Sequence, residues 1–442
     1  MSESIGSSGT GMKLHTKILL GLAVGLILGV TTNLTVGVTN PTVEWVNRYV
    51  AGPVGQIFLR MLFMVVMPLV FASISLGVAG LGDIRKVGRV GGKAIGYFFI
   101  TTCLAATLGL IVVNVMKPWE RVTPETRVAL MERFAGDAST RVEAAATTAK
   151  FGPETFVNIV PRNPIDAAAK TDMLAIIFFG LMFGAALTLI PAAKAKPMVD
   201  WLEALNEVVI RIIHFAMMLA PYGVACLIFT VSSRFGFDLM VAVAAFVVTV
   251  LMALALHVGI TLFSILKFGI GLSPLLFVSR VKAALITAFS TSSSSATLPT
   301  GLDVSEHQLG VPRGIAGFVL PIGSTMCMNG TAIFEGITVI FLAEIFGVDL
   351  TLPQMAIVMI MSVITAIGAA GVPGGSIPLL VGILTMFGVP GEGIAIVLGV
   401  DRILDMSRTT VNVFGDLTAA VYVAKSEGVW TPSDVPAASQ TQ

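Results

Sequence analysis

Asp401, Asp405, Arg408, Asn412 and Asp416 follow one another at intervals of four, three, four and four residues within an otherwise apolar run. At about 100° per residue they fall within an arc of roughly 80°, so one face of a single helix is polar while the rest is mostly Ile, Leu, Val, Met and Ala. A charge at the centre of a membrane helix costs at least about 2.5–3.5 kcal/mol on the insertion scale, so three carboxylates and a guanidinium facing lipid would cost on the order of 10 kcal/mol. The stripe must therefore face a protein-lined cavity. Arg408 offers a planar fork suited to a carboxylate. One arginine does not neutralise three aspartates, which leaves negative charge to attract cations. A face able to hold a cation and a carboxylate together suits co-transport; the competing reading is internal pairing of Arg408 with Asp405 or Asp401 and no ligand.

The preceding apolar run is interrupted by Gly323-Ser324-Thr325-Met326-Cys327-Met328-Asn329-Gly330-Thr331. Glycines around polar residues at membrane depth suggest unwound backbone, which frees carbonyls for an ion and a hydroxyl for a solute. Glu335 stands one turn beyond Thr331. An intramembrane carboxyl is costly to ionise, which makes Glu335 a candidate proton carrier, a neutral structural glutamate being the alternative. Nothing resembles a nucleophile with its base. His214 and His257 are isolated in apolar stretches and read as packed core residues. Cys103, Cys226 and Cys327 also sit in apolar stretches and give neither a disulfide framework nor zinc spacing. No enzyme activity and no cofactor are expected.

The elements that must hold these residues are membrane helices. Of 442 residues 55% are hydrophobic and only 12% charged, with a mean hydropathy of +0.91; a soluble domain carries about 25% charged residues. Soluble and disordered classes are thereby disfavoured, and 27 basic against 26 acidic residues give no nucleic-acid footprint. The 45 glycines suggest close helix packing, broken helices, or both. Runs long enough to span are read near 18–30, 55–76, 94–115, 173–190, 208–229, 239–266, 315–346 and 394–423. Lys13 and Lys17, then Arg85, Lys86, Arg89 and Lys93, then Lys194 and Lys196 agree in parity and place both termini in the cytoplasm. Residues 117–171 read as an extracytoplasmic loop, and residues 1–12 and 426–442 as disordered termini.

Two segments fit no simple span. Residues 273–307 have apolar arms around Ser290–Pro299, and residues 353–393 have apolar arms around Gly368–Ser376. Each arm is read as too short to cross and each tip consists of helix-breaking or capping residues, as expected of a re-entrant hairpin whose backbone lines a polar cavity. A flexible loop outside the membrane is the alternative for the first. Each hairpin is followed by a long span with polar residues, which suggests an inverted repeat with a site at its interface.

The serine-rich Ser292–Pro299 tip, Met328-Asn329-Gly330-Thr331, Gly371-Val372-Pro373-Gly374 and the Asp401–Asp416 stripe, in this order and spacing, resemble the glutamate transporter family, the dicarboxylate/amino acid:cation symporters. The resemblance implies an all-α polytopic membrane protein of eight transmembrane helices and two opposed re-entrant hairpins, a homotrimer working as an elevator. It implies a scaffold from residues 13–93 and 172–236, and a transport domain from residues 94–116 and 237–425. By the same resemblance Asp405 binds an amino group, Arg408 a side-chain carboxylate, and Asn412 with the backbone around Ser293 and Ser294 the α-carboxylate. Thr331 and Thr409 line the pocket, and Gly371 and Val372 form the tip of a gate. Asp416, Asn412 and the carbonyl of Gly323 match one sodium site, Thr325 with carbonyls near Ile367 a second, and Thr101 and Thr102 with Asn329 part of a third.

Departures from the family pattern bear on coupling. Cys327 and Asn329 replace an asparagine and an aspartate, and a thiol is a poor ligand for a hard cation. Glu335 matches a position that carries a protonatable glutamate in some members. A second arginine near the pocket is absent at both usual positions, where Ser292 and Met406 stand, so Arg408 is expected to work without auxiliary charge. The function expected is symport of an acidic amino acid, aspartate or glutamate, with sodium and protons as candidate coupling ions. The alternatives are a proton-coupled glutamate/C4-dicarboxylate carrier and an anion channel or non-transporting receptor on the same scaffold.

Overall fold

The computed structural model describes residues 14–37, 40–80, 84–128, 130, 160–169, 173–369, 371 and 373–432. Every regular element among them is helical. In chain order these are α1 (Leu14–Thr35), α2 (Pro41–Val46), α3 (Gly52–Phe63), α4 (Val66–Gly80), α5 (Ile84–Met116), α6 (Pro164–Ala169), α7 (Met173–Leu189) and α8 (Ala192–Leu256). They continue with α9 (Pro274–Thr291), α10 (Ser294–His307), α11 (Arg313–Met326), α12 (Asn329–Ile345), α13 (Leu352–Gly368), α14 (Ile377–Met386) and α15 (Ala395–Ser426).

Seven helical stretches among the described residues are long and apolar enough to cross a membrane: Thr16–Thr35, Pro41–Leu76, Arg89–Arg121, Ala192–Arg234, Leu239–Ile270, Pro274–Thr291 and Arg313–Ile345. Six coincide with expected spans. The seventh is α9, whose 18 residues reach the length that its hairpin arm was expected to lack. The apolar helix α7 has 17 residues, and α15 is long but carries the charged stripe.

Burial sorts these helices into centre and rim. The apolar window of Arg313–Ile345 is 100% buried and that of Thr16–Thr35 only 17%; a helix enclosed on every side belongs at the core of the bundle. In α12 every residue but Glu344 is buried. α15 packs antiparallel to α11 and α12, with Asp416 beside Gly323 and Arg408 beside Gly330. α5 runs parallel to α12, with Thr102 bonded to Asn329 and Gly109 against Ile333. At the rim, Gly21, Gly25 and Gly29 of α1 lie directly on Pro221, Ala225 and Ser232 of α8. A side chain at these glycines would strike the α8 backbone or a buried serine, so the two helices touch at van der Waals range.

The sequence predicts separate helices for the fifth and sixth spans, yet helical backbone is unbroken through α8 and passes into π-helical turns at His257–Leu262 and Ile265–Ile270. The part after Leu239 runs alongside α15 in the same direction. Phe263 packs on Phe414, and Lys425 donates to the carbonyl of Ile270 at 2.6 Å. His257 is fully buried as expected, whereas His214 lies on an exposed face of α8, contrary to the reading of it as core.

Two helix–loop–helix units carry the expected tips. α9 ends at Ser292, whose φ of 51° places it in the left-handed region, and Ser293 caps α10 by accepting from the Ala296 N–H at 3.1 Å. α13 begins with a capping box in which Thr351 and Gln354 exchange bonds. Gly374, with φ of 74°, sits in the turn between α13 and α14. Lys13, Ala370, Val372, residues 131–159 and residues 433–442 lie outside the described residues.

Candidate functional site

The charged stripe of α15 is buried. Asp401, Asp405, Arg408, Asn412 and Asp416 all have relative exposures of 6% or less. Arg408 donates from Nη1 to Oδ1 of Asp401 at 2.9 Å and from Nε to Oδ1 of Asp405 at 3.1 Å. Its Nη2 lies 2.9 Å from the same Asp405 oxygen, off the N–H direction, so this nitrogen makes no directional hydrogen bond. The guanidinium also stacks over the ring of Phe334, 4.2 Å from its centroid. The competing arrangement, Arg408 paired internally with Asp405 or Asp401, is therefore present, and it engages both aspartates at once.

That pairing does not seal the stripe away from the two loops. Oδ2 of Asp405 accepts from the N–H of Gly374 at 3.2 Å, and Ser293 Oγ donates to the carbonyl of Gly371 at 2.6 Å. The two loop tips thus touch each other and the stripe. A narrow cavity lies between them, lined on one side by Ser292, Ser294, Gly371 and Ser376, and on the other by Thr331, Asp405, Arg408, Thr409 and Asn412. Its volume of about 20 Å³ admits a water molecule and not an amino acid. For a solute to enter, the tips must part, and a carboxylate that is to be held by two nitrogens of Arg408 must displace an aspartate, since Nη2 alone is unspent.

The break between α11 and α12 places a second set of polar groups beside the cavity. α11 stops at Met326 and α12 starts at Asn329, so Cys327 and Met328 form the non-helical link inside the interruption expected from the sequence. The N–H of Gly330 donates to Asn412 Oδ1 at 2.7 Å, and Asn412 Nδ2 donates to Thr331 Oγ1 at 3.2 Å. A helix N-terminus that spends one N–H on Asn412 orients this amide toward the cavity.

The residues expected at sodium sites are distributed unevenly. Asp416 is next to Gly323 and is a neighbour of the Cys327 thiol; its Oδ1 has no hydrogen-bond partner among the described residues. Asn412, expected in the same site, is turned to Gly330 and Thr331 instead. Thr325 is exposed and its hydroxyl is spent on the carbonyl of Ile322 at 3.0 Å. Asn329 accepts from Thr102 at 2.9 Å and from Thr101 at 3.4 Å, so these three do come together. Glu335 is fully buried and accepts from Thr365 at 2.6 Å through Oε2, while its Oε1 has no partner among the described residues.

Three contributors were not foreseen. Ser292 and Ser376 line the cavity, and their hydroxyls have no partners among the described residues; both belonged to the expected tips, Ser292 singled out only as a place where an auxiliary arginine is missing and Ser376 not at all. The third corrects the charge count. Arg402 is buried, with Nη1 3.7 Å from Asp405 Oδ2, so the stripe holds two arginines and Arg408 does not stand alone. At 100° from Asp401, Arg402 falls outside the 80° arc, and its long side chain swings back toward it.

An all-helical bundle with a charged, enclosed stripe facing two loop tips defines an integral membrane protein built around a polar site. The sequence pattern that defines the Sodium:dicarboxylate symporter family matches residues 14–426, and the chain belongs to that family. It is similar to the proton/sodium-glutamate symport protein of Geobacillus stearothermophilus, 35% identical over 421 residues covering 95% of each chain. It is also similar to the proton/glutamate-aspartate symporter of Escherichia coli strain K12, 34% identical over 389 residues covering 87% of each. The C4-dicarboxylate transport protein of Bacillus subtilis strain 168 is 35% identical over 376 residues, 85% of this chain and 87% of its own. The family is one of transporters, not enzymes.

Proposed function

We propose that the protein is a secondary active symporter for an acidic amino acid, aspartate or glutamate, driven by cations. The observation that carries this reading is the Arg408 fork, held between Asp401 and Asp405 in a cavity walled by both loop tips. The guanidinium accepts the side-chain carboxylate of the solute in place of one aspartate, and Asp405, so released, receives its ammonium group. Asn412, Thr331 and the Ser292–Ser294 backbone supply donors for the α-carboxylate. Asp405 favours a solute with an amino group over a plain dicarboxylate, and Arg408 disfavours neutral solutes, because a buried guanidinium left without its carboxylate weakens binding.

In this reading α9–α10 and α13–α14 are re-entrant hairpins, the loop around Gly371 and Val372 is the gate, and sodium enters near Asp416 and Gly323. The substrate-bearing helices move as a unit against a scaffold of residues 13–93 and 172–236, which requires the continuous α5 and α8 to open at those boundaries, in a homotrimer with both termini cytoplasmic. The test is uptake into proteoliposomes of labelled aspartate, glutamate, succinate and serine, with sodium and pH gradients imposed separately. Arg408→Gln is expected to lower aspartate uptake at least about a hundredfold while the protein stays folded, about 3 kcal/mol being typical for the loss of a buried charged partner. Retained aspartate uptake refutes the role.

A specific observation favours proton coupling as a second reading. Glu335 is enclosed next to the Arg408–Phe334 stack, with one oxygen unpartnered among the described residues. Glu335→Gln should leave uptake indifferent to an imposed pH gradient; a variant still accelerated by that gradient, as the wild type is expected to be, removes Glu335 from the proton path.

A further inference from the structure

We propose that Arg402 is a positioning residue of the acidic-solute site, the counter-ion to which Asp405 turns when Arg408 releases it for a substrate carboxylate. The proposal rests on the substrate class proposed above and adds a residue to that site. Arg402 and Arg408 flank Asp405 on α15, three residues to either side, and their exposures are only 9% and 2%. They are unequally engaged. Arg408 is in direct contact with both Asp401 and Asp405. Arg402 stands off, with Nη1 3.7 Å from Asp405 Oδ2 and Nε without a hydrogen-bond partner among the described residues.

A guanidinium this enclosed, with a donor unspent, is costly unless a second arrangement uses it. The binding step provides one. Asp401, Asp405, Arg402 and Arg408 together are neutral, each aspartate matched by an arginine. A solute carboxylate that draws Arg408 away leaves Asp405 as a buried charge in contact with one backbone N–H, from Gly374, a strongly unfavourable state without compensation. Arg402 needs to close by less than about 1 Å to reach the 2.7–2.9 Å of a charge-assisted bond to Oδ2. That movement keeps Asp405 ionised, leaves Oδ1 free for the solute ammonium, and frees Arg408 from competition with its own neighbour. Without Arg402 the aspartates hold Arg408 more tightly. A solute that needs Arg408 then binds less well, and one that does not is spared.

The experiment uses the full chain in proteoliposomes, with labelled aspartate as substrate and serine as competitor. Arg402→Gln is expected to raise KM for aspartate about tenfold or more, with kcat and serine inhibition each within about threefold of wild type. The preference for aspartate over serine thus falls about tenfold, and Arg402→Lys, which keeps the charge, restores it. A merely structural role would weaken both solutes alike. The proposal is overturned if Arg402→Gln leaves KM at the wild-type value, or if aspartate and serine lose equally. Should serine not compete with the wild type, raised KM with retained kcat and rescue by lysine decides. Should the glutamine variant not fold, Arg402→Lys decides alone, a tenfold loss in a folded lysine variant being fatal. Failure of the substrate reading itself is seen separately, as a wild-type protein without saturable aspartate uptake.

Discussion

At the scale of residues, the most informative position is Asn329. Its amide oxygen takes bonds from Thr101 and Thr102, so two hydroxyls and a neutral amide meet there with no charged oxygen among them, and its Nδ2 is buried without a partner among the described residues. Cation affinity rises with the number of charged oxygens around it. Asn329→Asp is therefore expected to increase apparent sodium affinity in uptake about tenfold, and to make the protein less heat-stable in choline chloride but not in sodium chloride. Equal melting temperatures in the two salts would rule out a cation at this position. The stripe itself was readable because charges are expensive in an apolar helix and their spacing is unambiguous. Arg402 was not, since helical spacing gives the direction of a Cα–Cβ bond and not the reach of a long side chain.

At the scale of elements, the break between α11 and α12 decides how closely the core helices approach. A Cβ on Gly330 would come within 2.5 Å of the carbonyl oxygen and 2.8 Å of the Cα of Arg408. Neither backbone atom can yield as a side chain does. Gly330→Ala should push α12 off α15, with an overpacking cost of about 1–3 kcal/mol, and reduce aspartate uptake at least about tenfold; a variant with wild-type uptake would show that the approach is dispensable. The same break was legible in the sequence, as were both loop tips, because glycine, serine and proline mark the places where a helix ends. The continuity of α8 was not. Gly236 stands between the two apolar runs, yet a glycine alone does not separate a turn from continued helix, and here the helix runs through it as it does through Pro197 and Pro221.

At the scale of the whole molecule, one end of the bundle is tied together by its last residues. Glu427 meets Arg89 and Lys93 of α5, each at 2.6 Å. Lys425 bonds the carbonyl of Ile270, and Trp430 Nε1 donates to the carbonyl of Leu309 at 2.9 Å. The hydrogen bonds from Arg89 and Lys93 hold the Glu427 carboxyl down to about 2, below its ordinary value near 4.5. A depressed carboxyl contributes stability that is complete above the ordinary value and is lost as the pH falls toward about 2. Glu427→Gln should accordingly melt below wild type at pH 7, with the gap closing between about pH 4.5 and pH 2; a gap independent of pH would assign the loss to packing. None of these ties has a sequence signature, because each joins residues more than a hundred positions apart.

Those ties also make the corner around Trp430 a handle. Because α5, the π-helical turn Ile265–Ile270, the α10–α11 junction and α15 are joined there, a shift of one is passed to the others, and the indole is a native lamp mounted on whatever moves. Its emission should change when cargo is loaded, even though it sits far along the helix from Arg408.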